Sequence, residues 1–252
     1  MNLSVVIVAF KSGHLLEKLI ASIPRNYEII IIENSLDIEI KDKFEKHDNV
    51  QVIIPRENLG YGKSFNLGLQ KSKNNLTCFL SPDVTIPESC FENINNIVEN
   101  IKDFAVLAPT YIDETIHRNY QIKNKKILKD LKVNEFKLKE VDEIDFAMAL
   151  VNKSHITNAK LMDENFFLYF ESTDACINLR KNNKKIYVVE NLKFHHLHAE
   201  NEQLVGLTGL SKARIGDIAQ DFSSIFAAVG WKGIDDILRF YKRPIGEKFE
   251  ER

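Results

Sequence analysis

The stretch FLSPDV at residues 79–84 joins a buried-looking strand to a carboxylate, and the rest of the chain can be read outward from it. The apolar run that begins at Leu76 is typical of a strand in the interior of a sheet. Pro82 has no amide hydrogen to donate and disfavours helix at Ser81, so the strand must end here. Asp83 is therefore expected at the carboxyl end of a strand, where open α/β sheets bind their ligands.

About the first hundred residues alternate between apolar strand-like runs and helical segments. The predicted strands are residues 3–9, 28–33, 50–54 and 76–80, and the predicted helices are 13–23, 37–46, 62–71 and 87–101. Ser12 is expected to cap the first helix, and Pro24 to end it. This order of β-α units predicts an α/β fold with a mostly parallel sheet and right-handed crossovers.

The pattern changes after residue 108. Residues 111–140 predict an exposed, partly β insertion, which supplies a small antiparallel element. Further on, the pattern predicts a single buried strand at 143–151, a helix through Leu179 and a strand at 186–189. We predict one domain over residues 1–200 and a C-terminal helical extension, residues 201–252, packed on it.

Composition and charge exclude several classes of protein. The 252 residues carry 34 basic and 36 acidic side chains, a formal charge of −2, so no general electrostatic attraction to nucleic acid is expected. No apolar run approaches the length of a membrane span, and no cleavable leader is recognised. The 3 cysteines form no CxxC pair, which argues against structural zinc and a disulfide framework. A soluble, cytoplasmic protein is expected.

The glycine-containing loop at residues 58–68 is a candidate ligand site. Its glycines permit close approach of a ligand to the backbone, and the next helix could offer its N-terminal amides to an anion. The alternative is that Gly60 and Gly62 only make the turn from strand to helix. Neither a dinucleotide fingerprint after the first strand nor a phosphate-binding P-loop is present.

Two groups of side chains could hold a metal. Asp83 is a hard oxygen ligand of the type that binds Mg²⁺ or Mn²⁺, although it could also simply close a Ser-Pro-Asp turn. His195, His196 and His198 form a second candidate group. A single histidine is more often structural, and the sequence does not decide which of these would meet a metal.

Two acids follow the aromatic run at residues 166–170. Glu171 and Asp174 are three residues apart and would share one face of a helix start. They could simply favour the helix N-terminus electrostatically. Alternatively, one of them is a general base whose pKa is raised by the aromatic side chains beside it.

The order of these pieces resembles family 2 glycosyltransferases with the GT-A fold, and within them the rhamnosyltransferase-like branch. The resemblance covers about residues 2–200. It is carried by VIVAFKS at 6–12, by Asn34 and Ser35 after an acid-ended strand, by the N-x-G repeats within 58–68, by SPD at 81–83, by DENFFLYFESTD at 163–174 with Arg180, and by His196.

The resemblance implies an inverting transfer from a nucleotide-diphosphate sugar, with dTDP-rhamnose or a UDP-sugar as the expected donor. It implies that Ala9 and Phe10 line the nucleoside and that Glu33 contacts the base or ribose. It also implies that Asp83 and His196 hold Mn²⁺ or Mg²⁺. Further nucleotide-sugar-binding roles are implied for Asn58, Gly60, Tyr61, Asn66, Ser81, Asp83 and Arg180.

The sequence departs from the family pattern at the proposed base. Ser172 stands where relatives commonly carry the second acid of a Glu-Asp pair. Either Asp174, which is preferred, or Glu171 takes the role of the base. The alternative is a catalytically weakened or silent GT-A protein that only binds nucleotide-sugar. A nucleotidyltransferase is disfavoured, because the first strand is not followed by a glycine- and arginine-rich loop.

The resemblance also suggests an acceptor and partners. The implied acceptor is a glycan hydroxyl in surface polysaccharide biosynthesis, and a lipid-linked acceptor would bring the protein to the inner face of the cell membrane. Apolar residues of the C-terminal helices leave peripheral membrane association and a homodimer as open alternatives.

Overall fold

The computed structural model describes residues 2–101, 103–112, 118–122 and 130–197. The predicted C-terminal extension, residues 201–252, and His198 lie outside these ranges. In the described part of the chain, no helix is both long and apolar enough to cross a membrane.

The first part of the chain alternates strands and helices as its pattern predicts. The strands are β1 (Leu3–Ala9), β2 (Glu28–Glu33), β3 (Val50–Ile53), β4 (Leu76–Leu80) and the short β5 (Val84–Thr85). The helices are α1 (Gly13–Ala21), α2 (Ile38–Phe44), α3 (Gly60–Lys71) and α4 (Cys90–Asn100). Ser12 occupies the N-cap position of α1 as predicted, but its hydroxyl makes no capping hydrogen bond.

The later part of the chain contains more short strands. They are β6 (Val106–Tyr111), β7 (Tyr120–Gln121), β8 (Asp130–Val133), β9 (Phe136–Glu140), β10 (Glu143–Ile144), β11 (Met148–Asn152) and β12 (Ile186–His196). Helix α5 (Glu171–Lys181) follows two single 3₁₀ turns, at Lys153–His155 and Thr157–Ala159.

Two predicted strands have different bounds. The run 143–151 is not one strand but β10 and β11, and the carboxylate of Asp145 between them accepts the amide hydrogen of Ala147 at 3.0 Å. Strand β12 does not end at Val189 but continues to His196, across a register shift between Val189 and Lys193. The apolar residues of the run 143–151 concealed the break between β10 and β11. Strand β12 continues beyond Val189 because β5 supplies a new pairing partner.

The described strands form a ten-stranded sheet with the order β3-β2-β1-β4-β11-β6-β12-β9-β8, and β5 pairs with β12 outside this path. The first four of these run parallel, as do β6 and β12. Strand β11 is antiparallel to both of its neighbours. The β8–β9 hairpin and the separate β7–β10 pair provide the antiparallel elements. The predicted α/β class and mostly parallel sheet are confirmed.

The sheet is buried on both faces, which explains why its central strands are continuously apolar. In β1, Val5 and Ile7 join the hydrophobic core on one face, and Val6 joins the core on the other. Helix α3 packs closely over Val6. A Cβ atom built on Gly68 of that helix would lie only 2.3 Å from Cγ1 of Val6.

We expect Gly68→Ala to lower the free energy of unfolding by about 1–3 kcal/mol, because the added methyl group overpacks the interface between α3 and β1. Gly62→Ala on the same helix is the matched control, since its Cβ would have its nearest neighbours at 3.4 Å, an ordinary contact. Urea unfolding followed by circular dichroism measures both.

Val6→Ala should relieve this clash, so the cost of Gly68→Ala should largely disappear in the double variant. Equal stability of the Gly68→Ala and Gly62→Ala proteins would contradict the packing described here.

Candidate active site

The sheet brings the candidate residues to one edge. Ala9 pairs with Glu33 and Ile7 pairs with Leu80, so the segments after β1, β2 and β4 leave the sheet side by side. Strand β12 reaches the same edge because His196 pairs with the residue after Asp83. The carboxyl ends of parallel strands are the usual location of ligand sites in such sheets.

Asp83 and His196 face each other at this edge. Nε2 of His196 lies 3.3 Å from Oδ1 of Asp83, and the two side chains are 14% and 29% exposed, respectively. Burial alone would lower the pKa of His196, but the hydrogen bond and charge of Asp83, together with the charge of Asp145, outweigh burial and raise it. His195 is exposed on the neighbouring strand position, so of the two candidate histidines that the structure describes, His196 is the one that meets Asp83. The backbone of Ser81 supports the turn by donating to the carbonyl of Ala147 at 2.8 Å.

Tyr111 and Asp145 lie behind His196, and neither was predicted as a site residue. The hydroxyl of Tyr111 is 2.9 Å from Nδ1 of His196 and donates to Oδ2 of Asp145 at 2.6 Å. Burial, and then the charge of Asp145, raises the pKa of Tyr111. The position of Asp145 is set by pairing between distant strands, which no local sequence signal reveals. Asp145 stands just before β11, and the antiparallel pairing of Met148 with Leu80 brings this segment to the end of β4.

Glu171 is a buried carboxylic acid at the start of α5. Its side chain is 5% exposed, and among the described residues its Oε2 atom has no hydrogen-bond partner. Burial, assisted by the charge of Asp145, raises the pKa of Glu171 to about 7. Burial also raises the pKa of Tyr61, and the negative charges of Asp145, Glu171 and Asp83 raise it further, in this order of importance. Contacts place two of these carboxylates near Tyr61: its hydroxyl donates to the carbonyl of Phe146, next to Asp145, at 3.3 Å, and a Cβ on the adjacent Gly62 would lie 3.6 Å from Cβ of Glu171.

Asp174 has a different environment. Its Oδ2 atom accepts a hydrogen bond from Nδ2 of Asn178 at 2.8 Å, on an exposed face of α5. Burial and the charge of Asp163 raise its pKa, while Lys181 and the hydrogen bond from Asn178 oppose that shift. Of the two acids at the start of α5, Glu171 is the one whose charge acts on Tyr61 beside Asp83.

The segment after β2 contains a second unpartnered acid. Glu33 is fully buried, and its Oε1 atom accepts from the amide of Ser35 at 2.7 Å and from the hydroxyl of that serine. Within the described ranges, Oε2 of Glu33 has no hydrogen-bond partner. Nearby, Phe10 is 51% exposed, and the ammonium of Lys11 lies 5.5 Å from its ring centre.

The loop before α3 is held by the protein's own hydrogen bonds. Oδ1 of Asn58 accepts the amide hydrogen of Gly60 at 2.9 Å, and the amide of Tyr61 donates to the carbonyl of Phe167 at 2.9 Å. The expectation that this helix offers its first amides to an anion is therefore wrong for these two amides. Gly60 has a φ of +75°, and a Cβ there would lie 2.2 Å from the carbonyl oxygen of Phe167, so only glycine fits.

Three predicted binding residues make contacts within the protein instead. The methyl group of Ala9 is buried in the core. The amide of Asn66 donates to the carbonyl of Met162 at 2.9 Å, and its oxygen accepts two backbone amides of the same segment. Arg180 forms an ion pair with the buried Asp142. Asn66 and Arg180 are thus bonded to other segments of the protein, while Ala9 ends β1 at the sheet edge near which Asp83 lies.

The Asp83–His196 pair fits a divalent cation that shares its ligands with a diphosphate. Carboxylate oxygen and imidazole nitrogen are both ligands that Mn²⁺ accepts, and Mg²⁺ is commonly held by one or two carboxylates plus phosphate oxygens. Among the residues that the structure describes, no group of three or more His, Cys, Asp or Glu side chains could hold a metal ion. The remaining ligands would have to come from a nucleotide or from water.

Comparison with known proteins identifies the family. The family model described as glycosyl transferase family 2 matches residues 4–157. The chain belongs to glycosyl transferase family 2. This family member is 24% identical over 197 residues to the low-salt glycan biosynthesis hexosyltransferase Agl10 of Haloferax volcanii, and 21% identical over 194 residues to the dTDP-rhamnosyl transferase RfbF of Shigella flexneri. These alignments cover 73% and 74% of the chain, but the chain spans only 64% of either relative's length.

Solved structures show that this family member has the GT-A fold. S. aureus TarS 1-349 in complex with UDP-GlcNAc aligns with a TM-score of 0.61 at 16% identity, over 83% of this chain and 62% of that one. Mannosyltransferase PcManGT from Pyrobaculum calidifontis, in complex with GDP-Man and Mn²⁺, aligns with a TM-score of 0.60 at 8% identity, over 79% and 58%. The fold and family predictions are both confirmed.

The raised pKa of Glu171 predicts a loss of stability with rising pH. Between its ordinary value of 4.5 and about 7, the folded protein binds this proton more tightly than the unfolded chain does. Stability should therefore fall as pH rises through this window. We expect Glu171→Gln to remove this component and to be more stable than the parent above neutral pH by about 2–3 kcal/mol.

Urea unfolding of both proteins across this pH range measures the difference. Asp174→Asn is the control, with a smaller pH-dependent effect expected because Asp174 is less buried. A Glu171→Gln curve parallel to that of the parent would show that Glu171 is ionised normally.

Proposed function

We propose that this protein transfers a sugar from a nucleotide-diphosphate donor to an acceptor hydroxyl, with inversion at the anomeric carbon. The observation that carries the proposal is the approach of Asp83 and His196 to 3.3 Å at the sheet edge. The buried Glu171 packs against Gly62, whose neighbour Tyr61 donates to the carbonyl of Phe146, next to Asp145. Membership of glycosyl transferase family 2 supports it. The two relatives named as a hexosyltransferase and a dTDP-rhamnosyl transferase act in the same class of reaction.

Asp83 and His196 would hold Mn²⁺ or Mg²⁺ against the diphosphate of the donor. When bound, such a cation supplies positive charge that stabilises the nucleoside diphosphate as it leaves. The fit rests on the donor set, which offers one carboxylate and one imidazole on adjacent segments. The role of this chain is to hold both ligands at one point of the sheet edge.

Glu33 is the proposed contact for the nucleobase. Because Ser35 occupies Oε1, a single acceptor atom is left, and that atom is Oε2. One acceptor matches the one imide N–H of uracil or thymine, whereas guanine offers two adjacent donors. The exposed ring of Phe10 lies on the neighbouring segment and provides an apolar surface for the base. This favours a UDP-sugar or dTDP-rhamnose as the donor.

Glu171 is the proposed general base. A pKa of about 7 is suited to proton transfer at neutral pH, and Oε2 of Glu171 has no hydrogen-bond partner among the described residues. The carboxylate accepts the proton of the acceptor hydroxyl while the acceptor oxygen forms its bond to the anomeric carbon and the bond to the diphosphate breaks. Glu171 would thus supply the carboxylate that Ser172 cannot, and act as the base. A protein that only binds nucleotide-sugar is therefore not favoured.

The acceptor is proposed to be a growing surface glycan. The glycan-related name of the Haloferax relative supports this assignment. Nucleotide-sugars are made in the cytoplasm, so we propose that the transfer takes place there, with a lipid-linked acceptor at the membrane face.

Three variants test the assignment of the base. With a panel of nucleotide-sugars, we expect Glu171→Gln to lower kcat by about 10²–10⁴-fold while donor binding is retained. Asp174→Asn should reduce kcat by less than about 10-fold, because Asp174 bonds with Asn178 away from Tyr61. Ser172→Asp is the third variant, and it should not raise kcat if Glu171 already acts as the base.

The two acids are matched controls for each other in this comparison. A loss of kcat in Asp174→Asn but not in Glu171→Gln would show that Asp174, and not Glu171, is the base. A large gain of kcat in Ser172→Asp would show instead that the natural protein lacks an effective base.

Metal binding should depend on the nucleotide. We expect calorimetry to show weak Mn²⁺ binding to the protein alone and clear binding when UDP is present, since the described part of the chain offers two ligands and no group of three. Asp83→Asn should weaken the UDP-dependent binding by more than about 10-fold. Glu88→Gln removes an exposed carboxylate five residues further on and should leave it unchanged. Tight Mn²⁺ binding without UDP would be incompatible with the site.

A further inference from the structure

A chain of three hydrogen-bonded side chains leads away from Asp83 into the protein. Nε2 of His196 faces Asp83 at 3.3 Å, Nδ1 of the same ring is 2.9 Å from the hydroxyl of Tyr111, and that hydroxyl is 2.6 Å from Oδ2 of Asp145. The other oxygen of Asp145 accepts the amide hydrogen of Ala147 at 3.0 Å. Both oxygens of this carboxylate therefore have identified donors.

The direction of each hydrogen bond follows from what the groups can donate. A carboxylate only accepts, so the single hydroxyl hydrogen of Tyr111 points to Asp145. The phenol oxygen can then only accept from the imidazole, so Nδ1 of His196 must carry a hydrogen. The charged ring also carries a hydrogen on Nε2, directed at the carboxylate of Asp83. When the ring gives up that hydrogen and keeps the one bonded to Tyr111, the lone pair is left on Nε2, the nitrogen that a cation beside Asp83 would meet.

We propose that Tyr111 and Asp145 are positioning residues that hold neutral His196 as the Nδ1–H tautomer, so that Nε2 is a ready ligand for the divalent cation. This inference rests on the metal site of the proposed function. Neutral histidine in water favours the opposite tautomer, with the hydrogen on Nε2, which could not bind a metal without first losing that hydrogen. The hydrogen-bonded chain reverses this preference before any metal arrives.

The same chain fixes the orientation of the ring. The ring of Tyr111 packs against Phe194 with centroids 5.1 Å apart and lies at 5.5 Å from the imidazole. Tyr111 and Phe194 are also register partners in the β6–β12 pair. The hydroxyl is thus placed by the sheet itself, and outer hydrogen bonds of this type are known to tune metal affinity by 10–100-fold.

Asp145→Asn should favour the opposite tautomer of His196, with the hydrogen on Nε2, and not only remove the preference for Nδ1–H. The amide of Ala147 still requires an acceptor, so the oxygen of the new side chain faces Ala147 and its NH₂ group faces Tyr111. The phenol oxygen then accepts from that NH₂ group, and its own hydrogen turns to Nδ1 of His196. Nε2 is left carrying the hydrogen, in the position where the cation should bind.

The test reads the tautomer directly in metal-free protein. Long-range ¹H–¹⁵N correlation spectra at alkaline pH distinguish protonated from unprotonated ring nitrogens, and His196→Gln identifies the signals of His196. We expect Nδ1–H in the natural protein, a rise of the Nε2–H form in Tyr111→Phe, and a predominance of Nε2–H in Asp145→Asn. UDP-dependent Mn²⁺ affinity should fall by roughly 10–100-fold in Asp145→Asn.

Tyr27→Phe is the matched control, because it removes a phenol hydroxyl bonded to Asn95 at 2.8 Å, on a residue that precedes β2 at the opposite edge of the sheet. It should change neither the tautomer nor Mn²⁺ affinity. Predominant Nε2–H in the natural protein would overturn the inference, as would an inverted tautomer with unchanged Mn²⁺ affinity. Absence of sugar transfer with Nδ1–H intact and Mn²⁺ affinity dependent on Asp145 would refute the proposed function alone and leave this inference supported.

Discussion

The antiparallel insertion of β11 between β4 and β6 is the constraint on which the site depends. Because β11 runs against β4, its start lies beside the end of β4, and this brings Asp145 to the edge that already carries Asp83. The insertion also separates β6 and β12 from β4 by one strand. The end of β12 then pairs with β5, which places His196 opposite Val84. A strand parallel to β4 at this position would have put its carboxyl end here, and Asp145, which precedes the strand, would lie at the opposite edge.

The site concentrates negative charge that the protein itself does not fully neutralise. The charges of Asp83, Asp145 and Glu171 each raise the pKa of Tyr61, and the charge of Asp145 also raises the pKa of Glu171. His196 offsets part of this charge, and Glu171 relieves more of it by holding its proton up to a pH of about 7. Folding alone would not favour such an arrangement, since unpaired buried carboxylates are costly. Perturbed acids of this type are characteristic of functional sites.

Much of the fold could be predicted from the sequence, because the periodicity of apolar residues and the prolines that end strands and helices are local signals. The run that ends at Pro82 correctly predicted both the strand and the placement of Asp83. The site was only partly predictable, since pairing between distant strands decides it. Asp145 was hidden inside an apolar run that resembles one strand, and Asn66 and Arg180 were assigned to the ligand although they bind Met162 and Asp142. No local pattern shows whether an amide or guanidinium faces solvent, ligand or another segment.

The backbone bond from Tyr61 to Phe167 and the amide of Asn66 have one further consequence. They join α3 to the segment that leads into Glu171, so this part of the proposed site is assembled during folding. Ordering a loop when a ligand arrives normally subtracts conformational entropy from the affinity. Here that entropy is already lost when the chain folds, so in the proposed reaction the binding energy of a donor would remain available for the transition state.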